Sequence, residues 1–385
     1  MHFLKLVLRN ALRHRLRTGL TVLGLVVAIV SFGLLQTVVG AWYAGAEGAA
    51  PTRLVTRNAV SLVFPLPLSY RDKIRGVDGV RAVSYGNWFG GIYQDPKNFF
   101  PQFAIDAATY FDLYREYRIP EEDFKAFLRD RKGAIVGRKL ADTHGFRVGD
   151  TLPLRGTIYA GTWEFTVRGI YDGAEPKTDT SQLFFHWDYL NETVKKRSRG
   201  RADQVGIYFV DIVDADRAAE VSQAIDGLFR NSIAETLTET ERAFQIGFVK
   251  QTEAIVVAIR IVSYVVILII LAVMANTMAM TARERLGEYA TLKALGFSPG
   301  YVARLIFGES LAIAGLGAAI GIALTFPVAD WFAHKMGTLF PVFAISGETL
   351  WLQAGCAVAV GVAAALVPGR RAARVRIVDG LRAIG

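Results

Sequence analysis

The sequence predicts an α-helical membrane protein with four transmembrane helices and an extracytoplasmic α+β domain of two lobes between the first and second spans. Three observations predict it. Residues 19–42, 261–282, 310–329 and 349–367 are uncharged apolar runs, and a run of about 18 or more such residues reads as a membrane-spanning helix. The net charge of +9 is unevenly placed: residues 43–253 hold 28 Lys+Arg against 29 Asp+Glu, so the excess lies beside the apolar runs. Between the first two runs, strand-like alternation and helix-like periodicity take turns along the chain.

In chain order, residues 1–18 carry Leu4, Leu8, Leu12 and Leu16 beside Lys5, Arg9, Arg13 and Arg17. This gives one apolar and one cationic stripe on a helix, read either as an amphipathic helix lying on the inner leaflet or as a positive flank that fixes topology. The first span, 19–42, is longer than the roughly 7–15 residues of a signal-peptide core, so it is expected to be retained. Residues 43–237 form the extracytoplasmic domain. "GAIVGRKLADTHGFRVGDTLPLRG" reads strand, helix, turn, strand, "WEFTVRGIYDG" reads as a strand, and Asp214 or Asp216 marks a helix start after "VGIYFVDIV". With Cys356 the only cysteine, no intrachain disulfide is available and the domain must be held by its own core.

Residues 238–282 are expected to be one helix, the stalk and second span together. Thr238 with Glu241 fits a capping box, no proline interrupts the run, and Phe244 and Phe248 share a face. Residues 283–309 form a charged segment, 310–329 the third span, 330–348 a short outer loop, 349–368 the fourth span, and 369–385 a basic tail. Gly317 and Gly321 stand at the small-xxx-small spacing that lets helices approach closely, within a protomer or between two. Lys and Arg flank the chain ends and the 283–309 segment, while the 330–348 loop has only Lys335. The positive-inside bias therefore puts both termini and 283–309 in the cytoplasm, and it assigns the basic charge to lipid headgroups rather than to nucleic acid. Trp42, Trp331 and Trp351 fall at the expected outer ends, where amphipathic rings settle.

The charged segment carries the functional reading. Leu286, Tyr289, Ala290, Leu292, Ala294 and Leu295 make an apolar side, and Arg283, Glu284, Arg285, Glu288 and Lys293 a charged one. Gly296 supplies a left-handed stop, Ser298 an N-cap and Pro299 a first helical residue, so one helix ends and the next begins within a few residues. "GFSPG" also matches the G-x-S-x-G nucleophile pattern, but a helix precedes it where that elbow needs a strand.

Glu284-Arg285, Glu288 and Ala294-Leu295-Gly296 form an E-R-x-x-E…A-L-G arrangement that resembles the coupling segment of MacB/FtsX/LolC-type ABC transporter permeases, a DevC-like size and topology included. The tail "PGRRAARVRIVDGLRAIG" and the outer "LADTHGFRVGD" are similar to further stretches of that family. The chain departs from it at Tyr289-Ala290, where Ile-Gly is usual, and at Ile377, where proline is usual.

The resemblance implies that Glu284, Arg285, Glu288, Tyr289, Leu292, Ala294, Leu295 and Gly296 dock a cytoplasmic ATPase. It implies a bacterial inner-membrane homodimer with two such ATPases, and a periplasmic adaptor in some systems. No Gly-Lys dipeptide occurs in the chain, so a Walker A loop is missing. The chain is expected to be non-catalytic, with ATP and Mg held by the partner and no cofactor of its own. Two functions then compete: transport driven by motion relayed to the outer domain, and FtsX-like signalling to a periplasmic cell-wall hydrolase.

Overall fold

The computed structural model describes residues 13–375 other than 176, 337–339 and 341. The helix expected over 1–18 lies largely outside the described residues, as does the tail beyond 375. Four described helices are long and apolar enough to cross a membrane: Arg15–Gly48, Glu253–Glu284, the helix beginning at Pro299 and Gly347–Arg374. Each extends past its apolar run, because polar residues at a span's ends continue the backbone ladder outside hydrocarbon at no cost.

The chain divides into two compact units, residues 1–40 with 253–335 and 343–385, and residues 41–252 with 336–342. In the helical unit, small residues set the packing. A Cβ on Gly317 would stand 2.6 Å from Leu25 Cβ, and one on Gly321 would stand 2.8 Å from Ile29 Cβ. The sequence left the partner of these glycines open; they face the first span of their own chain. Gly33 makes room in the same way for Gln353, whose Nε2 donates to the Ile29 carbonyl and to Thr325 Oγ1, each at 2.9 Å. Ser310 Oγ donates to the Gly361 carbonyl at 2.6 Å. Such bonds fix helix register where dispersion alone is permissive.

The second unit is built on strands β1 Arg53–Asn58, β2 Leu66–Pro67, β3 Val80–Trp88, β4 Gly91–Ile92, β5 Gln102–Ile105, β6 Tyr117–Arg118, β7 Gly133–Gly137, β8 Thr151–Gly156, β9 Gly161–Gly173, β10 Leu183–His186, β11 Gln204–Val205, β12 Ile207–Ile212 and β13 Thr236–Thr240. The main sheet runs β13-β1-β12-β3-β5-β10-β7-β9-β8-β4, with β6 on β9; β2 pairs separately with β11. The two halves expected as lobes are joined into one sheet through the parallel pair β5 and β10. Consecutive residues serve opposite faces, as strand geometry dictates. Leu54, Ala134, Val136 and Phe185 enter one core; Val55, Ile135 and Phe184 enter the other.

The stalk differs from its expectation. Thr238 lies in β13, where its hydroxyl meets Thr56 Oγ1 at 2.9 Å. The alternating, β-branched "TLTET" pairs with β1 and satisfies its backbone groups there. The N-cap is Thr240, whose Oγ1 accepts from the Ala243 N–H at 3.2 Å. The helix Glu241–Gln251 then stops at Thr252 (φ −109°, ψ 12°) before Glu253–Glu284 begins, so 238–282 is not one helix. Phe244 and Phe248 meet edge-on at 5.0 Å; Phe244 packs toward the core of Val55 and Phe209, and Phe248 is exposed.

Candidate coupling segment

Residues Leu286–Ala294 form a short helix. Its end is the stop read from the sequence. The Phe297 N–H donates to the Leu292 carbonyl at 3.1 Å and the Gly296 N–H to the Lys293 carbonyl at 3.0 Å. Gly296 takes φ +91°, a left-handed value that a Cβ would oppose. Ser298 Oγ accepts from the Tyr301 N–H at 3.2 Å and opens the next helix at Pro299.

The segment is tied to an end of each spanning helix. Arg17 grips Glu284 with both guanidinium nitrogens at 2.7 and 2.8 Å. Arg13 and Arg285 both donate to the Glu288 carboxylate. Arg285 also donates to Glu309 at 2.9 Å, and both of these side chains are buried. Lys293 Nζ donates to the Ala373 and Val375 carbonyls at 2.6 and 2.8 Å, closing off the C-terminal end of the fourth span. Burial opposes ionisation of Glu288, but Arg285 and Arg13 hold its carboxyl below the usual range. Burial pushes the Tyr289 phenol up to about 12. The Arg285 guanidinium lies 5.6 Å from the Tyr289 ring centre.

The eight residues read as a docking surface therefore separate. Tyr289 is 1% exposed and packs with Val302, Ile306 and Met278 in the helical core, with Leu292 at its edge. Arg285 is buried against Glu309, although the sequence put it on the charged face. Glu284 and Glu288 are engaged within the chain. Ala294, Leu295 and Gly296 are exposed, Leu295 at 72%, and with them Phe297 at 41%, its ring 4.8 Å from Tyr301. Neither Glu309 nor Phe297 is among the residues read from the sequence as docking. Glu309 reads there as an acid at the head of an apolar run, and its partner 24 positions earlier lies beyond helical spacing.

Comparison with known proteins extends this geometry. The FtsX-like permease C-terminal family model matches residues 260–377, and the MacB-like periplasmic core domain model matches residues 18–228, more than half of the chain. An uncharacterized ABC transporter permease of Methanocaldococcus jannaschii is 24% identical over 352 residues, covering 87% of this chain and 81% of its own. Among solved structures, the extracellular domain of the ABC-type transporter YknZ from Gram-positive bacteria aligns with 49% of this chain and 100% of its own, at 14% identity and TM-score 0.36. The periplasmic region of MacB from Actinobacillus actinomycetemcomitans aligns with 54% of this chain and 95% of its own, at 11% identity and TM-score 0.36. With a MacB-like core domain followed by an FtsX-like C-terminal domain, the chain belongs to the MacB/FtsX-type ABC transporter permeases.

Proposed function

We propose that this permease relays motion of a separate cytoplasmic ATPase through its membrane helices to its sheet domain, driving export or extraction of a substrate. ATP and Mg are held by the partner. Two permease copies work with two ATPase subunits, in a bacterial inner membrane, with both termini cytoplasmic and the sheet domain periplasmic. The orientation rests on the basic flanks of the short loops.

One observation carries the reading. The exposed turn of Ala294, Leu295, Gly296 and Phe297 stands on a short helix that directly follows the second span and is bonded to the ends of the other three through Arg13–Glu288, Arg285–Glu309 and Lys293, while Arg17–Glu284 ties the first span's helix to the second's. Exposed apolar side chains on a rigid base suit insertion into a partner's groove. A push on that turn reaches four helices at once, which a Gly/Ser-rich tether would absorb. Glu284, Arg285, Glu288, Tyr289 and Leu292 then act as the frame, and Ala294, Leu295, Gly296 and Phe297 as the contact.

The test is recovery of the ATPase with tagged permease variants from membranes. Leu295→Asp and Phe297→Asp should lose the ATPase with normal membrane insertion. Glu348→Arg, assigned to the other side, should retain it. Equal recovery for all three removes the docking role. Hydrolase stimulation without substrate movement, in a reconstituted system, would favour the FtsX-like alternative.

A further inference from the structure

Two side chains from separate parts of the chain meet at Trp42, and a third side chain is bonded to the backbone of one of them. Its indole N–H donates to Thr252 Oγ1 at 2.9 Å, and its ring meets Phe340 edge-on at 5.1 Å. The Phe340 carbonyl accepts from Lys139 Nζ at 2.7 Å. All four residues belong to the unit that contains the sheet. Their places in the chain give the cluster its meaning. Trp42 is on the helix Arg15–Gly48, which contains the first span. Thr252 is the residue at which helical geometry lapses before the second span. Phe340 stands between the third and fourth spans, and Lys139 is on the helix Arg138–His144, which follows β7.

We propose that Trp42 is a positioning residue for coupling: it gathers the connections of all four spans at one point and delivers their movement to the sheet domain through Phe340 and Lys139. This rests on the relay reading above. The local chemistry supports it. Thr252 interrupts an otherwise helical connection, and an interruption alone would absorb motion as a loose joint. The Thr252 hydroxyl donates its proton to the Val249 carbonyl at 3.1 Å and accepts the indole N–H, so the break is pinned from both sides. The edge-on ring pair adds a contact that resists sliding. Phe340 is buried although it lies in a short loop between two spans, where a mere connection would leave an apolar side chain in water or lipid. A tryptophan near a span's outer end is ordinarily an interfacial anchor. Here its N–H is used on a protein hydroxyl instead of on water or headgroups.

The experiment compares hydrogen–deuterium exchange of the permease–ATPase complex in lipid nanodiscs with a non-hydrolysable ATP analogue and with ADP. The readout is the nucleotide-dependent difference in peptides covering 53–58 and 138–144. Thr252→Val keeps the side-chain shape and removes the acceptor; Trp42→Phe keeps a ring against Phe340 and removes the donor. Each should lose a large part of the difference while retaining ATPase recovery, ATP turnover and thermal unfolding temperature. Because they remove the same bond, the double variant should be no worse than the more affected single one. Phe340→Ala should lose the difference at 138–144. Full nucleotide-dependent differences in the variants would overturn the role of Trp42 and leave the relay standing. A wild-type complex without any such difference would overturn the relay itself, and this role with it.

Discussion

Arg53 Nε donates to Glu241 Oε2 at 2.7 Å, and the two side chains are 4% and 8% exposed. Arg53 opens the first strand after the first long helix, and Glu241 opens the helix that leads toward the second. The guanidinium has further partners: Glu116 takes it at 2.6 Å, the Leu113 carbonyl at 2.9 Å, and the Tyr114 ring centre lies 3.9 Å from it. Tyr114 in turn donates its hydroxyl to Glu241 Oε1 at 2.8 Å. Glu241→Leu leaves Glu116 to balance the guanidinium but removes the acceptor of the buried Arg53 Nε–H and of the Tyr114 hydroxyl, so it should destabilise the sheet domain by about 1–3 kcal/mol. Arg53→Met together with Glu241→Leu should recover part of that, since Glu116 is exposed enough to turn to water. Thermal unfolding of the three proteins decides it; a double variant weaker than Glu241→Leu would reject the pair as the cause.

Gly317→Val should separate the first and third spans, because Leu25 Cβ already occupies the space its side chain needs. Overpacking of this kind costs about 1–3 kcal/mol. Gly315, two residues earlier, has nothing within 4 Å of the place an added methyl would take, so Gly315→Ala should leave stability unchanged or raise it slightly. Heat-induced aggregation in detergent, followed by fluorescence-detected size exclusion, compares them. Equal midpoints for both variants would mean that the glycine contact with the first span is not limiting.

Gly296→Ala should strain the turn at φ +91° by roughly 1–2 kcal/mol. The turn holds Leu295 and Phe297 at the surface, so weaker ATPase recovery should accompany a nearly unchanged melting temperature. Gly300→Ala, whose methyl would meet nothing closer than Ser298 Oγ at 3.9 Å, is the matched control. Indistinguishable recovery from the two would show that the turn's shape is not what the partner reads.

Cysteines at Ser198 and Ala294, both exposed, test the orientation in a Cys356→Ala background. An impermeant maleimide added to intact spheroplasts should modify the first and spare the second until the membrane is opened. Labelling in the reverse order would invert the assigned topology.

By itself the sequence determined the elements whose causes are local. Long uncharged runs have no stable state in water, so the four spans follow from composition. Gly296, Ser298 and Pro299 each act within a few residues, so the helix stop and restart were legible as written. The Gly317–Gly321 spacing announced close approach, although not to which helix. The tertiary structure alone decided everything that depends on a distant partner. Thr238 reads as a helix cap until β1 lies beside it and the ladder claims its backbone. The two lobes read from separate strand and helix patterns share a sheet because β5 and β10 pair across some eighty residues, and no local preference encodes that pairing. Arg285 and Tyr289 look like surface residues at helical spacing, but Glu309 and the third span draw them inward, and Leu295 and Phe297 are the side chains left exposed. Charge and amphipathicity state which residues need a partner; only the packing of the whole chain states which partner each one meets.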